Sequence, residues 1–590
     1  MRRHRFALAF VAVLALAFVM VPLLRHEIFM FRDHGDYFQP LHFFTASELR
    51  AGHLPLWNPY NASGEPWLAN PQTGVFYPPS LLFLILPFAT AYMLYLALHL
   101  AILGWGGYAL FERDAGPGPA LVGAVALMTV GPTLSLLDVS NNLCTFAWFP
   151  IVLWSALTRS RLAPLFLAMA FLAGEPFFAA LAAVLYAIIV RTPRLILKSG
   201  AIAAGLASAQ LLPFLEMLHG SDRGARLSNA EILRDSMSVH DWLRVAVRPV
   251  TNADGFDPAL AQHFIPIIYV GVAVVALAAM GCVLVRTLRT AGWLLLLLFS
   301  IAISLGPAFL GRMPLTLFRY PSRLVPIGGL ALVALAVAGW QRLRPDRRWA
   351  DLLLIGVIIL DVVPRAAPMF VASPFDPHRV HYDESIGRDS KVARLFSGSR
   401  AQIVRERDLW ISGYLNLFDH RFDAWTAAPV IAQRYVAFYS ASVAQANRGL
   451  IDAMSVGWFL VAGPLPRSLF VPAKQVGRVI TYSYAPAWPM TRLVTGDGRI
   501  VPGKRGEFST SGVSFETDSP TAGLAVVAQQ DAAGWHVKVD GIEQQKVLEH
   551  GIFRAVRVGA GHHRIDWRYR PWSLIAGLLV TMVTIVAQLL

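Results

Sequence analysis

Residues 6–24 read FALAFVAVLALAFVMVPLL, and a charged stretch at residues 31–40, FRDHGDYFQP, follows soon after. The first stretch contains no charged residue and is long enough to cross a hydrocarbon core of about 30 Å as a helix. The second places acidic, basic and aromatic side chains directly behind that helix. Together the two stretches predict a membrane protein whose first loop carries reactive groups at the membrane-water boundary.

The composition of the whole chain agrees with a membrane protein. Of its 590 residues, 55% are hydrophobic and 15% are charged, and the mean hydropathy is +0.51. A soluble domain has roughly a quarter of its residues charged. The composition therefore excludes a cytosolic enzyme, a disordered protein and a nucleic-acid binder, and it makes the lipid bilayer the first expected partner.

Apolar stretches of spanning length recur along the chain and predict twelve membrane helices. The stretch at residues 161–190 is too long for one helix and carries Gly174-Glu175-Pro176 at its middle, so it predicts a hairpin of two short helices. The predicted spans lie at about residues 6–24, 80–110, 119–137, 144–158, 161–190, 200–219, 264–285, 291–310, 323–340, 350–369 and 572–590.

Basic residues mark one set of alternate loops, which is typical of cytoplasmic loops in membrane proteins. They are Arg2, Arg3, Arg5, Arg113, Arg159, Arg161, Arg191, Arg194, Lys198, Arg286, Arg289, Arg342, Arg344, Arg347 and Arg348. The pattern predicts that both termini are cytoplasmic and that residues 25–79, 220–263 and 370–571 are extracytoplasmic. It also explains much of the formal charge of +14 without a polyanionic partner. A cleaved signal peptide is the alternative for the first stretch, but no small-residue cleavage site precedes Arg25.

Three units follow from this organisation: a transmembrane domain (residues 1–369), a soluble domain (residues 370–571) and a final helix (residues 572–590). The soluble domain ends in a part with alternating apolar and polar residues, at about residues 505–570. Residues 535–539 and 553–558 show this alternation, and Asp540-Gly541 is typical of a hairpin turn. We expect a β-sandwich there and an α+β structure before it.

The charged stretch contains two candidates for a catalytic base, Asp33 and Asp36, with His34 between them. A carboxylate that is partly desolvated near lipid has a raised pKa, which suits a general base acting on a hydroxyl group. The alternative is that these are ordinary loop charges that cap a helix over about residues 37–49.

The rest of the first loop is rich in proline, tryptophan and amide side chains. Such a surface binds sugar hydroxyl groups through its amides and sugar faces through its aromatic rings. An aromatic membrane-interface belt with turn prolines is the alternative, and it does not explain the amides. The candidate substrate-binding residues here are His34, Trp57, Asn58, Glu65, Asn70, Gln72 and Tyr77.

Three further acids lie in or beside predicted spans, where an ionisable side chain is a functional hypothesis by default. Glu216 precedes Gly220 and is predicted to face the same cavity as Asp33. Asp138 lies at the end of a predicted span. Asp361 is followed by Val-Val-Pro, so the alternative for it is a helix end where it bonds the backbone.

Several motifs resemble the YfhO-type bacterial membrane proteins of the GT-C glycosyltransferase superfamily. The longest is LRxGxLPLWNPYxxxGxPxLANPQxxxFYPP at residues 49–79, preceded by Asp33 and Tyr37-Phe38-Gln39-Pro40. Shorter similarities are Gln210-Leu211-Leu212-Pro213 with Glu216, Ser221-Asp222-Arg223-Gly224, residues 318–323 (FRYPSR), residues 534–541, Gly561-His562 and Tyr569-Arg570-Pro571.

The resemblance implies a GT-C-like polytopic enzyme in a bacterial plasma membrane. Such an enzyme takes a monosaccharide from a polyprenyl-phosphate carrier, such as undecaprenyl phosphate, and transfers it to an envelope glycan, lipid or protein. An acid of the first outer loop then serves as base or metal ligand, and spacing to the Tyr-Phe-x-Pro motif matches Asp33 to it, with Asp36 second. The hairpin turn Gly174-Glu175-Pro176-Phe177 departs from the expected Gly-His-Pro-Gln-like turn, although Glu175 is itself an acid on the outer side.

The resulting hypothesis is inverting transfer with Asp33 as general base. A leaving phosphate needs cations, and arginine binds phosphate in a bidentate manner. Arg319 and Arg323 are the first candidates for this role, and Arg223 is the third. Their alternative role is to extend from a helix end to the membrane interface.

A metal cofactor is left open by the sequence. Asp33 and Asp36, with Glu65, offer oxygen ligands for Mg²⁺ or Mn²⁺, but a few carboxylates in a loop are usually solvated charges. No metal-binding motif with zinc spacing, Walker A segment or dinucleotide fingerprint is present.

Two other classes of function compete with the enzyme. A transporter or lipid flippase predicts broken helices at matched positions in two halves of the chain, and no such pair is apparent. A non-catalytic scaffold for envelope assembly has no need of the acidic first loop.

Overall fold

The computed structural model describes residues 2–223, 228–247, 264–307, 310, 319–343, 348–377, 389–395, 413–461, 463–476 and 479–590. Gly224 and Phe318 of the motifs, and Arg344 and Arg347 of the basic loops, lie outside these residues. The first part of the chain is helical, and strands dominate after residue 455.

The helices of the first part pack around a continuous apolar core. They are α1 (Arg2–Arg25), α2 (Gln39–Arg50), α3 (Leu82–Ile85), α4 (Phe88–Ala115), α5 (Pro117–Thr129), α6 (Gly131–Leu134), α7 (Ser140–Ala147), α8 (Phe149–Thr158), α9 (Ala163–Leu172), α10 (Pro176–Val190), α11 (Pro193–Leu206), α12 (Ser208–His219), α13 (Asn229–Ile232), α14 (Val239–Leu243), α15 (Val272–Leu284), α16 (Leu288–Ser304), α17 (Val325–Leu343) and α18 (Arg348–Val362).

The prediction of twelve membrane spans is not confirmed. Within the described residues, five helical segments have the length and apolar composition to cross a membrane, and the bent pair α11–α12 adds a sixth if it counts as one span. The five are His4–Arg25, Phe88–Ala115, Pro321–Leu343, Trp349–Phe370 and Trp572–Leu589.

Proline explains part of this difference, because it favours the first turn of a helix and disrupts a helix interior. Pro150 lies in the first turn of α8, and the predicted span at residues 144–158 is divided between α7 and α8. Other apolar helices are 10–17 residues long, among them α5, α9 and α10. The hairpin predicted around Gly174-Glu175-Pro176 is present as α9 and α10.

Beyond α18, the described residues contain a four-stranded sheet, two five-stranded sheets and three α-helices. Together with β1, which lies earlier in the chain between α1 and α2, the elements are β1 (Glu27–Phe29), β2 (Ala372–Pro374), β3 (Lys391–Leu395), α19 (Gln433–Tyr439), α20 (Arg448–Ala453), β4 (Val456–Val461), β5 (Phe470–Val476), β6 (Val479–Tyr484), β7 (Thr491–Thr495), β8 (Ile500–Pro502), β9 (Lys504–Phe508), β10 (Gly512–Ser519), β11 (Gly523–Gln530), β12 (Trp535–Val539), β13 (Ile542–Gln544), β14 (Lys546–Glu549), β15 (Phe553–Val558), β16 (Gly561–Tyr569) and α21 (Trp572–Leu589).

The two five-stranded sheets are antiparallel and form a β-sandwich. Their strand orders are β13-β12-β16-β10-β9 and β14-β15-β11-β7-β8. Leu493 and Val527 of one sheet share an apolar core with Phe515 and Trp567 of the other. The strands begin at Thr491, before the predicted start at residue 505, because β7 and β8 complete one of the sheets.

The first loop (residues 25–79) is tied to the chain beyond α18 at several points. Its strand β1 pairs in antiparallel fashion with β2. The Trp57 side chain lies in the core of the β-sandwich. The first loop and the β-rich region are therefore parts of one packed structure, which positions the candidate site described next.

Candidate functional site

A short π-helix, His34–Phe38, lies near the start of the first loop. Asp33 directly precedes it, and Asp36 lies within it. Asp33 and Asp36 are half-buried. His34 between them is fully buried, and its Nδ1 lies 2.7 Å from the Tyr92 hydroxyl. Burial lowers the pKa of His34 to about 3, so this side chain is neutral and faces the protein interior.

Asp33 lies in a cluster of charges that includes a buried ion pair. Arg32 Nε and Asp138 Oδ2 are 3.1 Å apart, and Asp138 is fully buried. Burial raises the pKa of Asp138 to about 7; the charge of Arg32 opposes this rise and that of Asp33 adds to it. Sequence reasoning noted Asp138 but did not include it in the site, because its partner follows α1, over a hundred residues away in the chain.

Tyr37 connects this turn to the later part of the first loop. Its hydroxyl donates to Gln72 Oε1 over 2.5 Å, and Asn70 Oδ1 accepts from the backbone N–H of Gln72 over 3.1 Å. Burial raises the pKa of Tyr37; the charge of Asp33 adds to this rise and that of Arg319 opposes it. An acid and an arginine from distant parts of the chain thus lie near one tyrosine.

Glu175 stands beside the same part of the first loop. Gly174 has a φ of +105°, and a Cβ atom there would lie 3.1 Å from the Gln72 Cα, so the hairpin turn packs directly on the loop. The buried Glu175 carboxylate accepts from Arg323 Nη1 over 3.2 Å and from the Phe177 N–H over 3.2 Å. The unexpected acid of the turn is therefore the ion-pair partner of a predicted phosphate ligand.

Arg223, Arg319 and Arg323, hereafter the arginine cluster, lie close enough to affect one another electrostatically. Burial and the charge of Arg319 lower the pKa of Arg223 to about 10. The Arg319 guanidinium lies 4.6 Å from the centre of the Tyr320 ring, a cation-π distance.

The arginine cluster retains hydrogen-bonding capacity. Arg319 Nε, Arg323 Nε and Ser322 Oγ are buried and have no hydrogen-bond partner among the described residues. A buried polar group without a partner costs free energy. An anionic ligand that accepts from these groups would remove that cost, and this makes the cluster the best-supported anion site in the described part of the chain.

Other predicted substrate-binding residues are engaged in contacts within the protein. Trp57 packs against Trp535 and Tyr569 in the β-sandwich, with ring centres 5.3 Å and 5.0 Å apart. The Tyr77 hydroxyl is 2.7 Å from His99 Nε2 and 2.8 Å from Trp148 Nε1. Both rings are buried against partners from other segments of the chain, and a role for them in sugar binding stays a prediction.

Asn58 and Glu65 are hydrogen-bonded to each other. Asn58 Nδ2 donates to Glu65 Oε1 over 2.9 Å, and Thr426 Oγ1 donates to Glu65 Oε2 over 2.8 Å. Burial raises the pKa of Glu65 to about 7. Glu65 therefore fastens the first loop to the segment around Thr426.

Glu216 borders a cavity of about 430 Å³ formed by the first loop, α12 and the end of the β-sandwich. Tyr569 and Arg434 line the same cavity. Asp33 is not among the described residues that line this cavity, and a cavity shared by Glu216 and Asp33 stays a prediction. Asp361 accepts hydrogen bonds from the Tyr269 hydroxyl and the Val272 N–H, which confirms its backbone-bonding alternative.

The described residues do not form a metal cage. No group of three or more His, Cys, Asp or Glu side chains is positioned there to hold a metal ion. Both Glu65 oxygens are already hydrogen-bonded, so Glu65 does not join Asp33 and Asp36 as a third ligand.

Comparison with solved structures shows that the fold of this chain is similar to that of known proteins. The arabinofuranosyltransferase AftD from Mycobacteria matches with a TM-score of 0.52 and 12% identity, over 96% of this chain and 57% of that chain. The oligosaccharyltransferase from Archaeoglobus fulgidus in the apo form matches with a TM-score of 0.43 and 13% identity, over 78% of this chain and 69% of that chain. The archaeal oligosaccharyltransferase AglB from the same organism, in complex with an inhibitory peptide and a dolichol-phosphate, matches with a TM-score of 0.40 and 12% identity. This match covers 78% of this chain and 69% of that chain.

These similarities concern the fold, because the identities are low and this chain spans 57% of the AftD chain. No protein-family model matches the sequence, and no curated protein does. The resemblance to YfhO-type proteins is thus not confirmed at the level of that family. The described residues thus form a helical part with five candidate membrane spans and a β-rich region, in a fold similar to that of AftD.

Proposed function

We propose that this chain is a membrane glycosyltransferase. It moves a monosaccharide from a polyprenyl-phosphate carrier to a glycan, lipid or protein acceptor on the extracytoplasmic face of a bacterial plasma membrane. The observation that carries the proposal is the arginine cluster, whose Arg319 and Arg323 Nε groups lack partners among the described residues. Charge-assisted hydrogen bonds from arginine suit a departing phosphate.

The proposed reaction is an inverting displacement. Asp33 takes the proton from an acceptor hydroxyl group, and the oxygen forms a bond to the anomeric carbon of the sugar. The bond between that carbon and the phosphate oxygen breaks, and polyprenyl phosphate leaves with the electron pair. Arg319 and Arg323 stabilise the negative charge of the leaving group, and Arg223 adds to the positive field.

Two contacts support this assignment of roles. The Glu175–Arg323 ion pair orients one arginine, and the Gln72–Tyr37 hydrogen bond anchors the turn that carries Asp33. Asp36 on the same turn is the second candidate for the base.

Transport of a lipid-linked sugar without cleavage is the second candidate function. The observation in its favour is the bend of 86° between α11 and α12. Broken helices are typical of transporters that bind their substrate within the membrane.

A membrane assay separates these functions. Membranes of cells that express the chain are incubated with a panel of synthetic polyprenyl-phosphate hexoses and pentoses, and released polyprenyl phosphate is measured. We expect release by the unaltered protein and a decrease of roughly 10²- to 10⁴-fold for Asp33→Asn. Arg319→Gln with Arg323→Gln should cause a loss of similar size.

The control is Arg505→Gln, which alters a highly exposed arginine of the β-rich region and should retain release. If Asp33→Asn is present at normal abundance and still releases polyprenyl phosphate at the full rate, Asp33 is not the base. Asp36→Asn then tests the second candidate. Movement of the sugar lipid across the membrane without cleavage would support transport, and neither activity would support a scaffold.

A further inference from the structure

The turn that carries Asp33 and Asp36 is held by a segment from far along the chain, residues 413–418. The Tyr414 backbone N–H donates to the Asp36 carbonyl oxygen over 2.7 Å. The Tyr414 ring stacks on the Tyr37 ring, with centres 5.1 Å apart and an interplanar angle of 29°. Tyr414 is fully buried, so this contact is part of the packed interior.

Gly413 permits this approach. Its φ of +56° is in the left-handed region, which favours glycine. A Cβ atom at this position would overlap the Asp36 carbonyl oxygen. Any other residue at position 413 must therefore displace either the segment or the turn.

The segment is itself fastened to the later part of the first loop. Asn416 Nδ2 lies 3.2 Å from Asn61 Oδ1 and 2.8 Å from the Arg421 carbonyl. Farther along the chain, Thr426 Oγ1 donates to Glu65. The start and the middle of the first loop thus both contact the same stretch of chain, which fixes one relative to the other.

We propose that Gly413 and Tyr414 are positioning residues that set the orientation of the turn bearing Asp33 and Asp36. The hydrogen bond from the Tyr414 N–H to the Asp36 carbonyl and the hydrogen bond from Tyr37 to Gln72 are tertiary contacts of this turn. A misplacement of a reacting group by about 1 Å can cost on the order of 10²-fold in rate. The effect on catalysis rests on the proposed function, whereas the effect on the order of the turn does not.

The test compares two glycines in the full-length protein in detergent. Gly413→Ala adds a Cβ atom that meets the Asp36 carbonyl, whereas Gly551→Ala, at a φ of +71°, adds one with nothing within 4 Å. Hydrogen-deuterium exchange of residues 33–40 is measured for both variants. We expect exchange to be roughly tenfold faster in Gly413→Ala and unchanged in Gly551→Ala.

Tyr414 supplies a second pair of variants if Gly413→Ala does not fold. Tyr414→Leu removes the stacked ring and should accelerate exchange of residues 33–40, and Tyr414→Phe retains the ring and should restore protection. Equal exchange in the unaltered protein and in every folded variant at positions 413 and 414 would overturn the proposal.

Transfer kinetics test the catalytic consequence separately. We expect Gly413→Ala or Tyr414→Leu to lower kcat for polyprenyl phosphate release by about tenfold or more while KM for the donor changes less than about threefold. Faster exchange in a protein that shows no transfer would contradict the proposed function and leave the positioning role standing. Faster exchange with unaltered kcat in an active enzyme would overturn the positioning role in catalysis.

Discussion

Glu65 is a buried charged residue and Arg319 is a half-buried one, and their surroundings differ. Both oxygens of Glu65 accept hydrogen bonds, from Asn58 and from Thr426. Arg319 keeps a buried Nε with no partner among the described residues. Because a satisfied buried group stabilises a fold and an unsatisfied one costs free energy, Glu65 has a structural role and Arg319 is suited to bind a ligand.

The state of Glu65 predicts a pH dependence of stability. Burial raises its pKa from 4.5 to about 7, so the folded state binds a proton that the unfolded state has already lost between these values. The contribution of Glu65 to the free energy of unfolding should therefore be largest below about pH 4.5 and should fall by up to about 3 kcal/mol as the pH rises through 7. In Glu65→Gln the side chain stays neutral, so the decline should be smaller than in the unaltered protein, and the part that comes from the raised pKa of Asp138 should remain.

Thermal unfolding in detergent between pH 4 and pH 8 measures this difference. Glu507→Gln alters an exposed glutamate of β9 and serves as the matched control. Its stability should change with pH as steeply as that of the unaltered protein. An identical slope in Glu65→Gln would show that Glu65 does not titrate in this range on folding.

Among the helices, the bend between α11 and α12 is where the C-terminal helix α21 docks. The Thr581 hydroxyl donates to the Gly205 carbonyl and accepts from the Ala209 N–H, each over 3.0 Å. A Cβ atom on Gly577 would overlap the Ser208 carbonyl oxygen. Small residues allow helices to approach closely in membranes, so the bend and α21 stabilise each other.

This contact predicts the effect of a bulky residue in α21. Gly577→Leu should separate α21 from α12 and destabilise the folded protein by roughly 1–3 kcal/mol, as overpacking generally does. Gly356→Leu is the matched control, because a Cβ atom at Gly356 of α18 meets nothing within 4 Å. Thermal unfolding in the same detergent compares them, and equal stability of the two variants would contradict the close approach at Gly577.

On the scale of the whole molecule, the first loop and the β-rich region must lie on the same side of the membrane. The β1–β2 pairing and the insertion of Trp57 into the β-sandwich connect them directly. The positive-inside pattern predicts that this side is extracytoplasmic.

Cysteine labelling of intact cells tests that orientation. In a Cys282→Ser background, His53→Cys in the first loop and Lys504→Cys in β9 should react with a membrane-impermeant maleimide, because both positions are exposed. Arg286→Cys, in the loop between α15 and α16, should react only after permeabilisation. The reverse pattern would invert the topology, and different accessibility of His53→Cys and Lys504→Cys would contradict their placement on one side.

Local patterns in the sequence determined several elements of this protein. The Gly174-Glu175-Pro176 break predicts the α9–α10 hairpin, and the alternation at residues 535–539 and 553–558 predicts β12 and β15. Such features depend on neighbouring residues, whose periodicity and turn preferences are visible in the chain. The sequence also determined that the first loop contains acidic residues and that the chain has apolar helices of membrane-spanning length, because both are properties of continuous stretches of sequence.

Tertiary structure alone decided which polar side chains remain available. Trp57, Glu65 and Tyr77 each have a partner tens or hundreds of residues away, Trp535, Trp148 and Thr426 among them, so no local pattern in the sequence predicts that these three are buried. The same holds for the juxtaposition of Arg323 with Glu175 and of Tyr414 with Asp36. Burial and hydrogen bonding are properties of the packed chain. They distinguish the arginine cluster, which has buried donors without partners among the described residues, from polar side chains such as Glu65, whose hydrogen bonds are made within the protein.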